Sequence, residues 1–278
     1  MENYEKYSRL MPEAQTDEEA FHRLWEIVKV LRAECPWDKE QTYESLRSCM
    51  LEEAYEAVDA VNRADTENLR EELGDVCLQV LMNAQIGAEK GDFLLKDVMN
   101  AECEKMIRRH PHIFSKETIK TVDKVLEKWE NIKRTETDKQ TQTERLLSVP
   151  RALPALTRSC KIQSKAADVG FDWDDVSGAL LKITEEMEEL KESCAHGSGE
   201  EMSEELGDVL FSIVNAARFL KIDPEEALNA STDKFLRRFR HMEESALQNG
   251  ISLQEMTLEQ MDKLWDEAKM LEKSRYLF

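Results

Sequence analysis

Glycine and proline are scarce in this chain, nine and six among 278 residues, too few to supply the turns that join many short strands. No Cys-x-x-Cys pair occurs. The six cysteines (Cys35, Cys49, Cys77, Cys103, Cys160, Cys194) are scattered, as small core residues or free thiols of a reducing compartment would be. No stretch approaches the length of a membrane span, and the opening MENYEKYSRLMPEAQ has no apolar h-region. The expectation is therefore a cytoplasmic protein with no membrane partner. Positive charge is also short: 38 basic against 58 acidic residues leave a net charge of −20. That balance excludes a general nucleic-acid binder, which needs a cationic surface to displace counterions. Any phosphate chemistry here would need a metal and locally placed Lys or Arg. Apolar residues make up 41% of the chain, enough for globular cores.

Long segments carry those apolar residues at helical spacing. Phe21, Leu24, Trp25, Val28 and Leu31 form one stripe, opened by a Thr16-x-x-Glu19 capping pattern. Leu46, Met50, Leu51, Ala54, Tyr55, Val58 and Val61 form a second. A third helix is expected from Thr66 to near Gly91, a fourth from about Phe93 to Arg109, and a fifth around Thr118 to Arg134. The fold class is all-α. The polar run from Thr135 to Gln142 reads as a linker, with the break between domains near residues 135–150. Helical order then recurs over Leu180 to Leu190 and Glu204 to Leu220, with CAHGSGE expected as a loop between them. Two tandem helical-bundle domains follow, 1–140 and 149–278.

The two halves share an acidic signature. Glu52-Glu53-x-x-Glu56 precedes Glu72-Leu73-Gly74-Asp75, and Glu185-Glu186-x-x-Glu189 precedes Glu205-Leu206-Gly207-Asp208. Glu52 to Glu185 and Glu72 to Glu205 are both steps of 133 residues. Acids three apart share a helix face, so two such helices packed together bring four carboxylates to one point. That is costly without a hard cation, and the donor type suits Mg²⁺, with Mn²⁺ as a substitute. The expected ligands are Glu53, Glu56, Glu72 and Asp75, then Glu186, Glu189, Glu205 and Asp208. Glu52 and Glu185, the first acids of each triplet, could orient or deprotonate a water, or be merely solvated. Glycine inside each second motif costs about 1 kcal/mol of helix stability against alanine; the expected return is close approach of the facing helix. A di-iron bundle would need Glu-x-x-His on two helices, and only Glu19-x-x-His22 has that spacing.

Cations recur behind the acids. Lys105, Arg108 and Arg109 align with Lys234, Arg237 and Arg238, and Trp129-x-x-x-Lys133 aligns with Trp265-x-x-x-Lys269. Pro36-Trp37-Asp38 has an echo in Asp172-Trp173-Asp174. The basic groups read either as phosphate partners or as solvated helix faces, and recurrence favours the first. Each tryptophan suits either stacking on a nucleobase or packing in a core.

The paired motifs, together with CPWDKEQT and SVPRALPALTRSCKIQSKAADVGFDW, resemble the MazG family of all-α nucleoside triphosphate pyrophosphohydrolases, over nearly the whole chain. The resemblance implies Mg²⁺-dependent conversion of a nucleoside triphosphate to monophosphate and pyrophosphate, by a homodimer, in nucleotide-pool control or removal of aberrant nucleotides. It carries the metal ligands onto the eight acids above, and second-domain nucleotide contacts onto Lys234, Arg238, Trp265 and Lys269. Where some members have a lysine four residues before the Glu-x-x-Asp glutamate, this chain has Glu201. A non-catalytic nucleotide or metal sensor is the main rival, and a helical scaffold with acidic faces the second. The two domains could also pair internally in place of a homodimer.

Overall fold

The computed structural model describes residues 6–115, 121–136 and 141–275. Among these residues the secondary structure is helical and no strand occurs. The chain divides into two compact units, Met1–Thr137 and Asp138–Phe278.

In the first unit, α1 (Asp17–Glu34) opens as its sequence requires. Thr16 Oγ1 accepts the Glu19 N–H at 3.2 Å, and Glu19 Oε2 accepts from Gln15 N at 2.9 Å. The short α2 (Pro36–Glu40) follows. Then come α3 (Arg47–Asn62) and α4 (Thr66–Lys90), packed along each other. Asp65 caps α4 through the Asn68 N–H at 3.1 Å, and Gly91 ends it at φ 77°. Val28 of α1 meets Leu46, Leu81, Met82 and Ile86 in the buried core. Arg32, 8% exposed, ties three elements together: it pairs with Glu89 on α4 and donates to the carbonyls of Asp38 and Gln41. The unit is completed by α5 (Leu95–Arg109), α6 (Pro111–Phe114) and α7 (Val122–Thr135). Part of the expected start of α7, residues 118–120, lies outside the described residues.

The second unit repeats the hairpin. After α8 (Gln142–Leu147) and α9 (Ala155–Ala167) come α10 (Val176–His196) and α11 (Gly199–Phe219), packed along each other. The arm of α12 (Pro224–Gln248) and α13 (Leu258–Arg275) follows. Glu225 holds α12 to α9 by accepting from Thr157 N at 3.2 Å and Thr157 Oγ1 at 3.1 Å.

The division between Thr137 and Asp138 falls inside the break expected at 135–150, and the same stretch also holds α8, started by a reciprocal cap between Thr141 and Glu144 and packed on α9. One expectation is corrected: CAHGSGE is not a loop, since α10 continues through His196 and only Gly197 and Ser198 separate it from α11. The reason is Ser198, whose hydroxyl accepts from Glu201 N at 3.3 Å while Glu201 Oε2 accepts from Ser198 N at 2.6 Å. Glu201 is thereby a capping residue.

Candidate active site

Each helical hairpin gathers its acids from both arms. Glu53, Glu56 and Glu72 present oxygens within 4.8 Å of one another, and so do Glu186, Glu205 and Asp208. Glu72 and Glu186 are buried, at 8% and 5% exposure. The remaining expected ligand of each quartet sits beside its trio. Asp75 raises the carboxyl pKa of Glu53 and Glu72 through its charge. Glu189 shares a hydrogen bond with Glu186, which with burial and the Glu186 and Glu205 charges pushes its own pKa up. Burial first, then neighbouring carboxylates, raises Glu53, Glu72 and Glu205 likewise.

Among the described residues no Lys or Arg forms an ion pair with Glu53, Glu56, Glu72 or Asp75. The donors are all carboxylate oxygens, and no cation among the described residues pairs with them, which is the environment a hard divalent cation fits. The second cluster differs. Lys182 Nζ lies 2.6 Å from Glu186 Oε1 and 2.7 Å from Glu185 Oε1. At its counterpart 133 residues earlier stands Cys49. Glu52 and Glu185 are both exposed, outside the trios.

The glycines of the two Glu-Leu-Gly-Asp motifs do not serve close helix approach. A Cβ at Gly74 or Gly207 would meet nothing within 4 Å, so both face open space. The close approach is at Gly178 instead, where a Cβ would lie 2.4 Å from the Trp173 ring. That contact seats Trp173 over α10.

The expected phosphate cations are paired elsewhere. Arg109 and Arg108 share Glu136, at 2.6 Å each, and Arg109 lies over the Trp129 ring at 5.4 Å. In the second unit, Arg238 Nε meets Glu272 Oε2 at 2.7 Å, Arg237 Nε stands 3.6 Å from Oε1, and Arg238 lies 5.6 Å from the Trp265 ring centre. The guanidinium hydrogen bonds hold Glu136 and Glu272 below the usual carboxylate range. Trp265 packs on Phe235 at 5.1 Å. Lys269 pairs with Asp266 at 3.0 Å, Lys105 pairs with Glu102, and Lys234 is exposed. The side chain of Lys133 lies outside the described residues. Glu136 and Glu272 are absent from any reading of the acidic motifs. The signal that finds them is their place seven residues after Trp129 and Trp265.

A cavity of about 680 Å³ adjoins the second cluster. Glu186, Asp208 and Lys182 belong to its wall, with Phe171, Trp173 and Phe211 as aromatic lining and Asp172, Ser212, Asn215 and Arg218 as polar lining. Arg237, Arg238 and Glu272 line a separate groove of about 490 Å³ that includes none of the cluster acids. Acids and arm cations of the second unit thus face different cavities of one chain.

A helical hairpin carrying Glu-x-x-Glu on one arm and Glu-x-x-Asp on the other, present twice and opening in its second copy on a nucleoside-sized cavity, defines an all-α protein with duplicated carboxylate centres. Comparison with known proteins narrows the class. The family model "MazG nucleotide pyrophosphohydrolase domain" matches residues 41–114 and 167–243, so each match contains one acidic cluster. The chain belongs to the MazG family. It is 43% identical over 251 residues to the nucleoside triphosphate pyrophosphohydrolase/pyrophosphatase MazG of Thermotoga maritima, covering 90% of this chain and 95% of that one. To the nucleoside triphosphate pyrophosphohydrolase of Escherichia coli it is 40% identical over 240 residues, 86% and 91% of the two chains. An uncharacterized Bacillus subtilis protein, YabN, is 49% identical over 251 residues, 89% of this chain and 51% of that one.

Proposed function

We propose that this chain hydrolyses nucleoside triphosphates to monophosphate and pyrophosphate with Mg²⁺, and that the second unit holds the working site. The observation that carries this is the shared wall: two cluster acids, Glu186 and Asp208, border a cavity large enough for a nucleoside. Glu186, Glu205 and Asp208, with Glu189 beside them, would hold the cation; Glu53, Glu56 and Glu72, with Asp75, would do so in the first unit. When bound, Mg²⁺ or Mn²⁺ neutralises triphosphate oxygens and stabilises the charge that develops on pyrophosphate. Lys182, already among the acids, is placed to follow phosphate charge into the site. Glu185, and Glu52 in the first unit, would orient the attacking water or accept its proton as the bond between the α- and β-phosphates breaks.

The first unit supports a second reading, as a metal or nucleotide sensor. Stepping back 133 residues from Lys182, Ser212, Asn215 and Arg218 gives Cys49, Gln79, Met82 and Gln85. Met82 is part of the core with Val28 and Leu81, so an apolar contact stands at the position of Asn215, while Gln79 and Gln85 leave no charged group at the other two.

A homodimer fits the surface. Met202, Leu206, Leu210 and Ile213 make an exposed apolar stripe on α11, and Leu51, Tyr55 and Val58 make one on α3. A second copy, bringing the same stripes, would cover them by symmetry. Light scattering is the test: Leu206→Lys with Leu210→Lys should convert a dimer to a monomer, and a monomeric wild type rejects the dimer. A cytoplasmic role in nucleotide-pool control or clearance of aberrant nucleotides agrees with six free cysteines.

The test of the activity is a panel of NTPs and dNTPs incubated with Mg²⁺ or with EDTA, products being separated by ion exchange. Monophosphate plus pyrophosphate, formed only with Mg²⁺, is the expected result. Diphosphate plus phosphate, or no product, overturns the proposal.

A further inference from the structure

The cavity beside the second cluster has a polar edge whose hydrogen-bonding sense is set by chemistry. Asp208, Ser212, Asn215 and Arg218 follow one another on α11 at three- and four-residue steps, so they share one face. Asn215 stands seven residues past Asp208, about 10 Å along the helix. Asp172, in the turn before α10, grips Arg218: Nη1 donates to Oδ2 at 2.9 Å and Nη2 to Oδ1. The same guanidinium reaches Asn215, with Nε at 2.9 Å and Nη2 at 2.7 Å from Oδ1.

A guanidinium has donors only. The Asn215 atom facing it is therefore the oxygen, whichever way the amide might otherwise lie. Its Nδ2, with two N–H donors, has no partner among the described residues. Arg218 is itself held by a carboxylate, so the amide cannot turn without breaking a clamped pair.

We propose that Asn215 reads the nucleobase as a fixed donor and selects bases with a carbonyl at the purine 6 or pyrimidine 4 position: hypoxanthine, guanine, uracil and thymine. This rests on the reading that the cavity takes the nucleoside of the substrate. With the triphosphate at Glu186 and Asp208, that exocyclic group is the one farthest from the phosphates, as Asn215 is far from Asp208 along α11. Adenine or cytosine would set an amino N–H against the amide N–H and leave both donors without each other as partners. A site built to bond one group rejects the analogue that lacks it. The counterpart of Asn215 in the first unit, Met82, has no such readout.

The experiment is calorimetric titration of the full chain with IMP against AMP and with UMP against CMP, beside kcat/KM for the four triphosphates. IMP should bind about tenfold or more tighter than AMP, and UMP than CMP. Asn215→Asp keeps the Arg218 pair but presents an acceptor, so the order should invert in favour of AMP and CMP. Arg218→Met frees the amide to turn and should bring each ratio to within about twofold. Equal binding of IMP and AMP by the wild type, with all four triphosphates hydrolysed, overturns this proposal and leaves the activity standing. No binding and no hydrolysis overturns both. An unchanged IMP preference in Asn215→Asp moves the readout to another residue and rejects Asn215.

Discussion

Lys182 Nζ stands between Glu185 and Glu186, 2.7 and 2.6 Å from their carboxylate oxygens, while its counterpart in the first unit is Cys49. The two acid clusters therefore differ in charge although their acids match. A cation already at Glu186 competes with a divalent ion for that oxygen. Lys182→Met should tighten Mn²⁺ binding at the second cluster a few-fold, the size of a partly exposed ion pair, and weaken triphosphate binding. Mn²⁺ titration followed by electron paramagnetic resonance reads the first effect without turnover. Unchanged Mn²⁺ affinity would show that Lys182 does not contest the site.

The acids also set a pH dependence. Glu53, Glu72, Glu189 and Glu205 have carboxyl pKa values raised above 4.5 by burial and by one another. A raised acid binds its proton more tightly in the folded chain than in the unfolded one. Its contribution is thus present at low pH and lost as pH rises through the raised value. A divalent cation offsets what is lost. The gain in Tm from Mg²⁺ over EDTA should accordingly be small near about pH 5 and larger near about pH 8. Scanning calorimetry at both values decides it, and an equal gain at the two would count against these clusters as the Mg²⁺ sites.

Asp208 and Asp75 occupy matching positions, yet only Asp208 borders the nucleoside-sized cavity. Asp208→Asn should lower Mg²⁺-dependent hydrolysis by roughly 100-fold, whereas Asp75→Asn should change it by less than about threefold. Circular dichroism checks that both variants stay helical. Comparable losses would mean that both units work.

The arm cations offer a separate check. Arg237 and Arg238 share Glu272, which their guanidinium groups hold ionised. If Arg238 contacts phosphate, Arg238→Ala should raise KM by about tenfold or more, the worth of a charge-assisted bond. Glu272→Gln would release both arginines; it should leave kcat within about threefold while lowering Tm, because two cations then repel without a shared acid. A collapse of kcat in Glu272→Gln would place Glu272 among the reacting groups instead.

Much of the fold is legible in the sequence. Thr16, Thr66, Gly91 and the apolar stripes mark helix ends and faces because capping and periodicity are local. The acid clusters were legible for a related reason: each half is an i,i+3 pair, and the two halves lie on neighbouring helices. What escaped was pairing set by the path of the chain. Glu136 and Glu272 meet arginines 27 and 34 residues away, and no helical period connects them. The open space at Gly74 and Gly207, and the ring packed on Gly178, also depend on where neighbouring side chains come to rest. Lys182 was within reach, four residues before Glu186, but its meaning required seeing which of its neighbours lines the cavity. The separation of arm cations from cluster acids could not be read from recurrence alone.

Both halves of each carboxylate trio ride on one helical hairpin, with eighteen residues between Glu53 and Glu72 and again between Glu186 and Glu205. So short a loop closes early in folding. The step that makes each centre is also the step its own acids oppose, and a divalent ion removes that opposition as the hairpin forms. Refolding of either unit should then run faster with Mg²⁺ in the buffer than without, long before a nucleotide arrives. The metal would be a participant in the birth of the fold as well as in its work.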